Sequence, residues 1–178
     1  MRRTIQIALV CLPFLAAAGP GLAGEVEAHG VFDDLKSLAG TWRGEPEGEG
    51  EAAGEEHMGE VVHEIRVSAA GTVVMETMGP GTEHEMINMY HLDGDDLMLT
   101  HYCAAGNQPI MRLDRQRSTP SKLVFDFAGG TNMDPAADHH IHSATITLID
   151  GEHVESVWIP YSGGKQVGKM TFHLARSR

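Results

Sequence analysis

The sequence predicts an all-β protein: about ten antiparallel strands closed into an up-and-down barrel, with a short helical turn near the N-terminus. From residue 61 to residue 176, apolar and polar side chains alternate with a period of two in short segments. Turn-forming residues separate these segments at regular intervals, and no segment among them has the spacing of an amphipathic helix. Closing sequential hairpins into a barrel leaves no strand edge unpaired.

Residues 1–23 have the pattern of a secretory signal peptide. Arg2 and Arg3 give a positive start, residues 5–18 form an apolar run, and small residues precede a cleavage point near Ala23. The run is too short to span a bilayer comfortably, which takes about 20 apolar residues. We therefore expect cleavage and export to the periplasm or the extracellular space; the alternative is an uncleaved anchor.

Removal of this segment would leave about 155 residues, the size of one domain with a single core. We divide them into an N-terminal lead with a short helix at 24–40 and a β-barrel domain at 41–178. The whole chain has a net charge of −12, which gives no electrostatic basis for binding nucleic acid or an anionic membrane surface. Of the two cysteines only Cys103 follows the cleavage point, so no intramolecular disulfide is expected.

The elements follow in order along the chain. Phe32, Leu35 and Leu38 are three residues apart, which indicates one or two helical turns, and Trp42 opens the first strand. Residues 45–60 are rich in Glu and Gly; we interpret them as a solvated, mobile connection, with an acidic cation-binding loop as the alternative. Further strands are expected at about 61–68, 72–78, 85–92, 96–103, 109–117, 122–128, 139–150, 153–161 and 166–176.

Three segments resemble a known superfamily. The segment 38–44, L-A-G-T-W-R-G, resembles the opening of calycin barrels, which include lipocalins, fatty-acid-binding proteins and nitrobindin-like haem barrels. Residues 91–109, H-L-D-G-D-D-L-M-L-T-H-Y-C-A-A-G-N-Q-P, resemble uncharacterised exported bacterial members, as does D-x-H-x-H at 138–142 followed by W-x-x-Y at 158–161. The resemblance implies a cavity for a small ligand and does not identify that ligand.

Strand parity predicts which polar side chains share the lumen. A two-residue turn at Asp93-Gly94 or Gly94-Asp95 puts even positions of one strand on the same face as odd positions of the next. We assign this face inward because it places a thiol and an imidazole two residues apart. The inward set is Met86, Asn88, Tyr90, Leu97, Leu99, His101 and Cys103.

The predicted strand at 139–150 carries His140 and His142 at even positions. The next three even positions of this strand are apolar, so we expect the even-numbered face to line the lumen too. A two-residue turn at Asp150-Gly151 would place Tyr161 beside them and leave Trp158 outside. A three-residue turn would bring Trp158 inside, and the sequence leaves both turns open.

The leading functional prediction is small-molecule binding in a partly polar, His-rich cavity. The alternative is a metal or haem: His101, Cys103, His140 and His142 suit Zn or Cu by ligand type, and one lumenal histidine would be an axial haem ligand. Polar lining residues bonded to water or to one another also account for these side chains. The expected ligand-binding residues are Asn88, Tyr90, His101, Cys103, Met111, His140, His142 and Tyr161.

An enzyme, a hydrolase or isomerase of unknown substrate, is the third prediction and the least favoured. Cys103 beside a histidine would be its nucleophile. No local motif supplies an oriented base or an oxyanion pocket, and a buried free cysteine is far commoner. The ten methionines fit an adaptable cavity wall better than copper handling.

Overall fold

The computed structural model describes residues 25–53 and 59–178. In this part of the chain, α1 (Ala28–Ser37) precedes a series of strands, and a 3-10 turn (Ala69–Gly71) joins the second strand to the third. The strands are β1 (Gly40–Gly50), β2 (Val61–Ser68), β3 (Val73–Met78), β4 (Met86–Asp93), β5 (Asp96–Tyr102), β6 (Gln108–Leu113), β7 (Lys122–Thr131), β8 (His140–Leu148), β9 (His153–Ser162), β10 (Lys165–Gln166) and β11 (Gly168–Arg176).

The predicted signal peptide at 1–23 lies outside the described residues. Among the residues that are described, no helix is both long and apolar enough to cross a membrane.

Ten strands close into an antiparallel up-and-down barrel, which confirms the predicted fold class. Each strand from β1 to β9 pairs with the next one in sequence, β9 pairs with β11, and β11 returns to β1. The two-residue β10 pairs with the end of β9 just before β11 begins. The connections are therefore all local hairpins, apart from the seam between the first strand and the last.

The start of the acidic segment is part of the barrel wall, which corrects its interpretation as a mobile connection. β1 continues through the glutamates to Gly50 and pairs with β11 along this length. Trp42 and Pro46 are its buried positions, while the glutamate side chains alternate with them on the exposed face. Residues 54–58 lie outside the described residues, and the cation-binding alternative for them is untested.

Helix α1 closes one end of the barrel. Phe32 and Leu35 are 3% and 2% exposed, and the helix packs against β4 and β5. The indole Nε1 of Trp42 donates a hydrogen bond to the Leu38 carbonyl oxygen at 2.8 Å, which ties the end of the helical segment to β1. The guanidinium of Arg176 lies 4.3 Å from the Trp42 ring centroid. This end is packed, so a ligand has to use the other.

Candidate functional site

A cavity of about 1060 Å³ opens at the end of the barrel opposite α1. The turns around residues 51–53, 79–84 and 103–105 contribute to its mouth. Small-molecule sites usually measure roughly 300–1,000 Å³, so this volume is ample for one ligand. The apolar part of the wall consists of Val61, Met78, Met86, Ile141, Trp158, Pro160, Met170 and Phe172.

A buried carboxylate, Glu76, lies at the centre of a polar network inside the barrel. Glu76 is 4% exposed and occupies an inward position of β3. His63 Nδ1 donates to Glu76 Oε1 at 2.8 Å. Asn88 Nδ2 and the Tyr90 hydroxyl donate to Oε2 at 2.8 and 2.9 Å. Three donors from two neighbouring strands therefore satisfy one carboxylate, as a buried charge requires.

This network keeps Glu76 ionised. Burial by itself raises the pKa of the Glu76 carboxyl, but the hydrogen bond and attraction of His63, together with Asn88 and Tyr90, outweigh burial and lower the pKa. Burial, and after it the charge of Glu76, raise the pKa of Tyr90 well above its ordinary value. The Tyr90 hydroxyl thus keeps its proton and remains a donor.

His101 connects the network to the cavity. The Asn88 amide nitrogen donates to Glu76 and, at 3.2 Å, to the Met78 sulfur. The other amide atom, Asn88 Oδ1, therefore accepts a hydrogen bond from His101 Nδ1, with 2.7 Å between oxygen and nitrogen. With the proton on Nδ1, the other ring nitrogen, Nε2, presents a lone pair. Among the described residues, His101 Nε2 has no hydrogen-bond partner.

The surroundings of His101 hold it neutral. The side chain lines the cavity, is 1% exposed, and has its ring centroid 5.5 Å from that of Trp158. Burial lowers the pKa of His101 to about 4, against the opposing pull of Glu76. At neutral pH His101 is therefore an uncharged imidazole in the wall at the inner end of the cavity, called the floor below, with a buried acceptor that no described residue uses.

The predicted residues on β4, β5 and β6 lie inside the barrel, as their parity indicated. His101 and Cys103 line the cavity. Asn88 and Tyr90 support His101 through the network and are 0% and 3% exposed. Met111 is fully buried in the core and does not line the cavity.

The thiol of Cys103 is not activated. Burial raises the pKa of Cys103, with a hydrogen bond from the Ala105 backbone opposing the shift. A thiol with a raised pKa stays protonated at neutral pH and is a poor nucleophile. The site therefore gives no support to covalent catalysis by this residue.

His140, His142 and Tyr161 do not line the cavity, which corrects the predicted set. Ile141 and its pairing partner Pro160 do line the cavity. The next pair along these strands is His140 and Tyr161, and because side chains alternate between the two faces of a strand, this pair points to the opposite face. A β-bulge follows Ile141, so His142 is the extra residue that breaks the parity of β8.

The displaced side chains form an aromatic cluster of their own. The His142 ring stacks on Tyr161 and on Phe127, with centroids 3.9 and 4.8 Å apart. His140 Nδ1 donates to the Asp138 carbonyl oxygen at 2.9 Å, and His140 Nε2 lies 3.1 Å from His142 Nδ1. Burial and then the neighbouring His140 lower the pKa of His142, which favours the uncharged form of His142.

The predicted Zn or Cu site does not assemble. His101 and Cys103 lie at the cavity, whereas His140 and His142 belong to the aromatic cluster. Across residues 25–53 and 59–178, no group of three or more His, Cys, Asp or Glu side chains is arranged to hold a metal ion.

Sequence reasoning missed His63 and Glu76 and left the position of Trp158 open. Ala144 pairs with Trp158, which brings the indole inside at 2% exposure. A signal for the missed pair was present: each occupies an inward position of its strand, between apolar neighbours two residues away. A polar side chain at such a position needs a buried partner.

No protein-family model matches the chain, and no curated protein sequence matches it. Among solved structures, one of unknown function from the DUF3598 family of Nostoc punctiforme is similar, with 11% sequence identity and a TM-score of 0.43. The similarity covers 80% of this chain and 49% of that protein. The chain therefore spans about half the length of this structural neighbour.

Proposed function

We propose that this protein binds a small, largely apolar molecule in the barrel lumen and anchors it through a hydrogen bond that the ligand donates to His101 Nε2. The observation that carries the proposal is this buried acceptor, fixed in its tautomer by Asn88 and without a partner among the described residues. An unsatisfied buried polar atom costs about 1–3 kcal/mol. A donor on the ligand removes that cost, while the apolar wall supplies area for affinity.

The predicted export signal places this binding outside the cytoplasm, and this location is part of the proposal. A lumen protected from solvent suits the carriage or sequestration of a molecule that is poorly soluble in water. Nothing in the cavity requires a reaction to follow binding.

An uncharged, polarity-sensitive dye, Nile red, tests the binding proposal. We expect saturable fluorescence enhancement at one dye per chain, because the mainly apolar cavity excludes water from the dye. Ile141→Trp projects a bulky indole into the lumen and should weaken dye binding severalfold. Ile149→Trp makes the same change at a side chain that is 59% exposed and remote from the cavity, and should preserve it. Equal dye binding by both variants would remove the proposal.

Haem is the second candidate, on the same observation. An imidazole whose Nδ1 proton is held by an amide oxygen has its Nε2 lone pair oriented for a metal. His101 has this arrangement, and the thioethers of Met78 and Met86 also line the cavity. His101 would hold the iron of a haem and the thioethers would contact it, and the iron, when bound, would supply redox or gas-binding chemistry.

A hemin titration separates the two candidates. For the haem candidate we expect a shifted Soret band that saturates at one equivalent and is lost in His101→Gln. An unshifted Soret band in the wild type rejects haem and leaves the organic-ligand proposal standing on the dye measurements.

A further inference from the structure

We infer that the lumen selects its occupant by charge: it takes an uncharged hydrogen-bond donor, such as an alcohol or amide, and rejects organic anions of the same shape. This inference rests on the proposed binding function and adds the chemical class of the ligand. Three features support it: the acceptor on the cavity floor, the lack of a free lysine or arginine in the described lining, and the charge of the mouth.

The floor of the cavity offers an acceptor and has its donors already in use. His63, Asn88 and Tyr90 give their protons to Glu76. The indole N–H of Trp158 donates to the Ser156 hydroxyl at 3.1 Å. What remains is the lone pair of His101 Nε2 and, in the tautomer of His63 whose proton lies on Nδ1, the lone pair of His63 Nε2. In these tautomers both nitrogens can accept and neither can donate.

An anionic group at the floor would therefore meet repulsion and no hydrogen bond. Its oxygen would face the His101 lone pair, and its charge would lie over the ionised Glu76 in a site shielded from water. A buried charge without a partner is strongly disfavoured. A hydroxyl or amide N–H instead supplies the proton that His101 lacks.

The lining residues in the described part of the chain also include no lysine or arginine that is free to pair with an anion. Among the lining residues in the described part of the chain, Arg43 is the only lysine or arginine. Arg43 is at the rim, its side chain is 47% exposed, and it already pairs with Glu60 at 2.9 Å. A carboxylate placed deep in the lumen would meet no lysine or arginine of the described lining, and the lining His63 is already paired with Glu76.

The mouth adds a second barrier to anions. Glu51, Glu60 and Glu83 lie among the residues that line it, against the single charge of Arg43. These groups are exposed, so salt screens them beyond about 8 Å. The mouth therefore slows the entry of anions, in keeping with the net charge of −12, while the floor determines which molecule stays bound.

A matched series of probes tests the selection: 1-decanol, decyl methyl ether and decanoate, each competing with Nile red at neutral pH. The alcohol can donate a hydrogen bond, the ether cannot, and the carboxylate is charged. We expect decanol to bind at least about 30-fold more tightly than decanoate, since like-charge juxtaposition is costly. We expect decanol to exceed the ether by about tenfold, the loss from one unsatisfied buried acceptor.

His101→Leu removes the acceptor and should reduce the alcohol-to-ether ratio to near one. His29→Leu makes the same change at an exposed position of α1, outside the cavity lining, and should leave the ratio unchanged. An alcohol preference that persists in folded His101→Leu contradicts the role of His101. The wild-type comparison tests charge selection without either variant, so it holds even where His101→Leu does not fold.

The outcomes for the two proposals are distinguishable. Decanoate that displaces the dye as well as decanol overturns charge selection and leaves lumenal binding intact. Displacement by none of the three probes, with lumenal dye binding present, also overturns the selection. Dye affinity that is the same in Ile141→Trp as in Ile149→Trp removes the binding function, and the selection falls with it.

Discussion

Glu76 accepts three hydrogen bonds inside the barrel, so its replacement measures how much the network stabilises the fold. In Glu76→Gln the amide nitrogen replaces one acceptor, so either a donor of Asn88 or Tyr90 loses its acceptor or the proton of His63 must move from Nδ1 to Nε2. We expect the free energy of unfolding in urea to fall by about 2–4 kcal/mol. Glu64→Gln, on the exposed face of β2, is the control and should change it by less than about 0.5 kcal/mol. Equal effects would contradict the network's stabilising role.

The lowered pKa of His101 predicts a pH dependence of stability. The unfolded chain binds a proton at the ordinary histidine pKa of 6.5, whereas the folded site binds it only at about 4. Between these values the unfolded state holds more protons, so stability present above 6.5 is lost as the pH falls. The loss attributable to His101 is about 3 kcal/mol by the lower end of this window.

Urea unfolding of the wild type and of His101→Gln, from neutral pH down to about 4, measures this contribution. The variant should lose less stability on acidification than the wild type. His29→Gln, at an exposed position of α1, should follow the wild-type profile. Parallel profiles for the wild type and His101→Gln would show that the folded His101 is not held neutral.

The site prediction was correct where side chains alternate regularly between the two faces of a strand and wrong where a bulge interrupts this alternation. The tight turn between β4 and β5 fixes their register, so the sequence predicts that Asn88 and His101 share one face, and the choice of that face as inward came from the chemistry of His101 and Cys103. The bulge at His142 reverses the parity of β8, and no local residue pattern announces it. The bond from His63 to Glu76 depends on strand pairing, which alternation within one strand does not reveal.

At the scale of the strand, the seam between β1 and β11 depends on glycines that allow close contact. A Cβ added at Gly44 would collide with the carbonyl oxygen of His173 on β11. We expect Gly44→Ala to lower the free energy of unfolding by about 1–3 kcal/mol, since the backbones must separate to make room. Gly151, in the β8–β9 turn, has open space at the same point.

Thermal and urea unfolding of Gly44→Ala and Gly151→Ala form a matched pair. The turn variant should stay within about 0.5 kcal/mol of the wild type. A Gly44→Ala protein as stable as the wild type would mean that the seam can widen without cost and that its close packing does not hold the barrel closed.

The same glycines explain why β1 was shorter in the sequence prediction than in the structure. Its inward positions after Trp42 are Gly44, Pro46 and Gly48, none of which gives the large apolar signal of a barrel strand. Glycine and proline are depleted in strands, and the intervening glutamates indicate solvent. The pairing with β11, distant in sequence, stabilises this segment as a strand.

At the scale of the whole molecule, the residues that stabilise the fold and the residues that line the cavity lie at opposite ends of the barrel. The end near α1 is filled by Phe32, Leu35 and Trp42, each at most 3% exposed. The opposite end keeps the open cavity, and the Glu76 network lies between the two. Closure through the β1–β11 seam makes both ends parts of one continuous wall.

This division predicts opposite effects for two truncations. Leu35→Ala removes buried atoms from the packed end and should cost about 2–4 kcal/mol of stability in urea. Its affinity for Nile red should remain within about twofold of the wild type, because no atom of the lumen changes. Met86→Ala, at the partly exposed cavity wall, should cost less than about 1.5 kcal/mol and weaken dye binding severalfold. Loss of dye affinity in folded Leu35→Ala, equal to that in Met86→Ala, would show that the packed end and the cavity act as one unit.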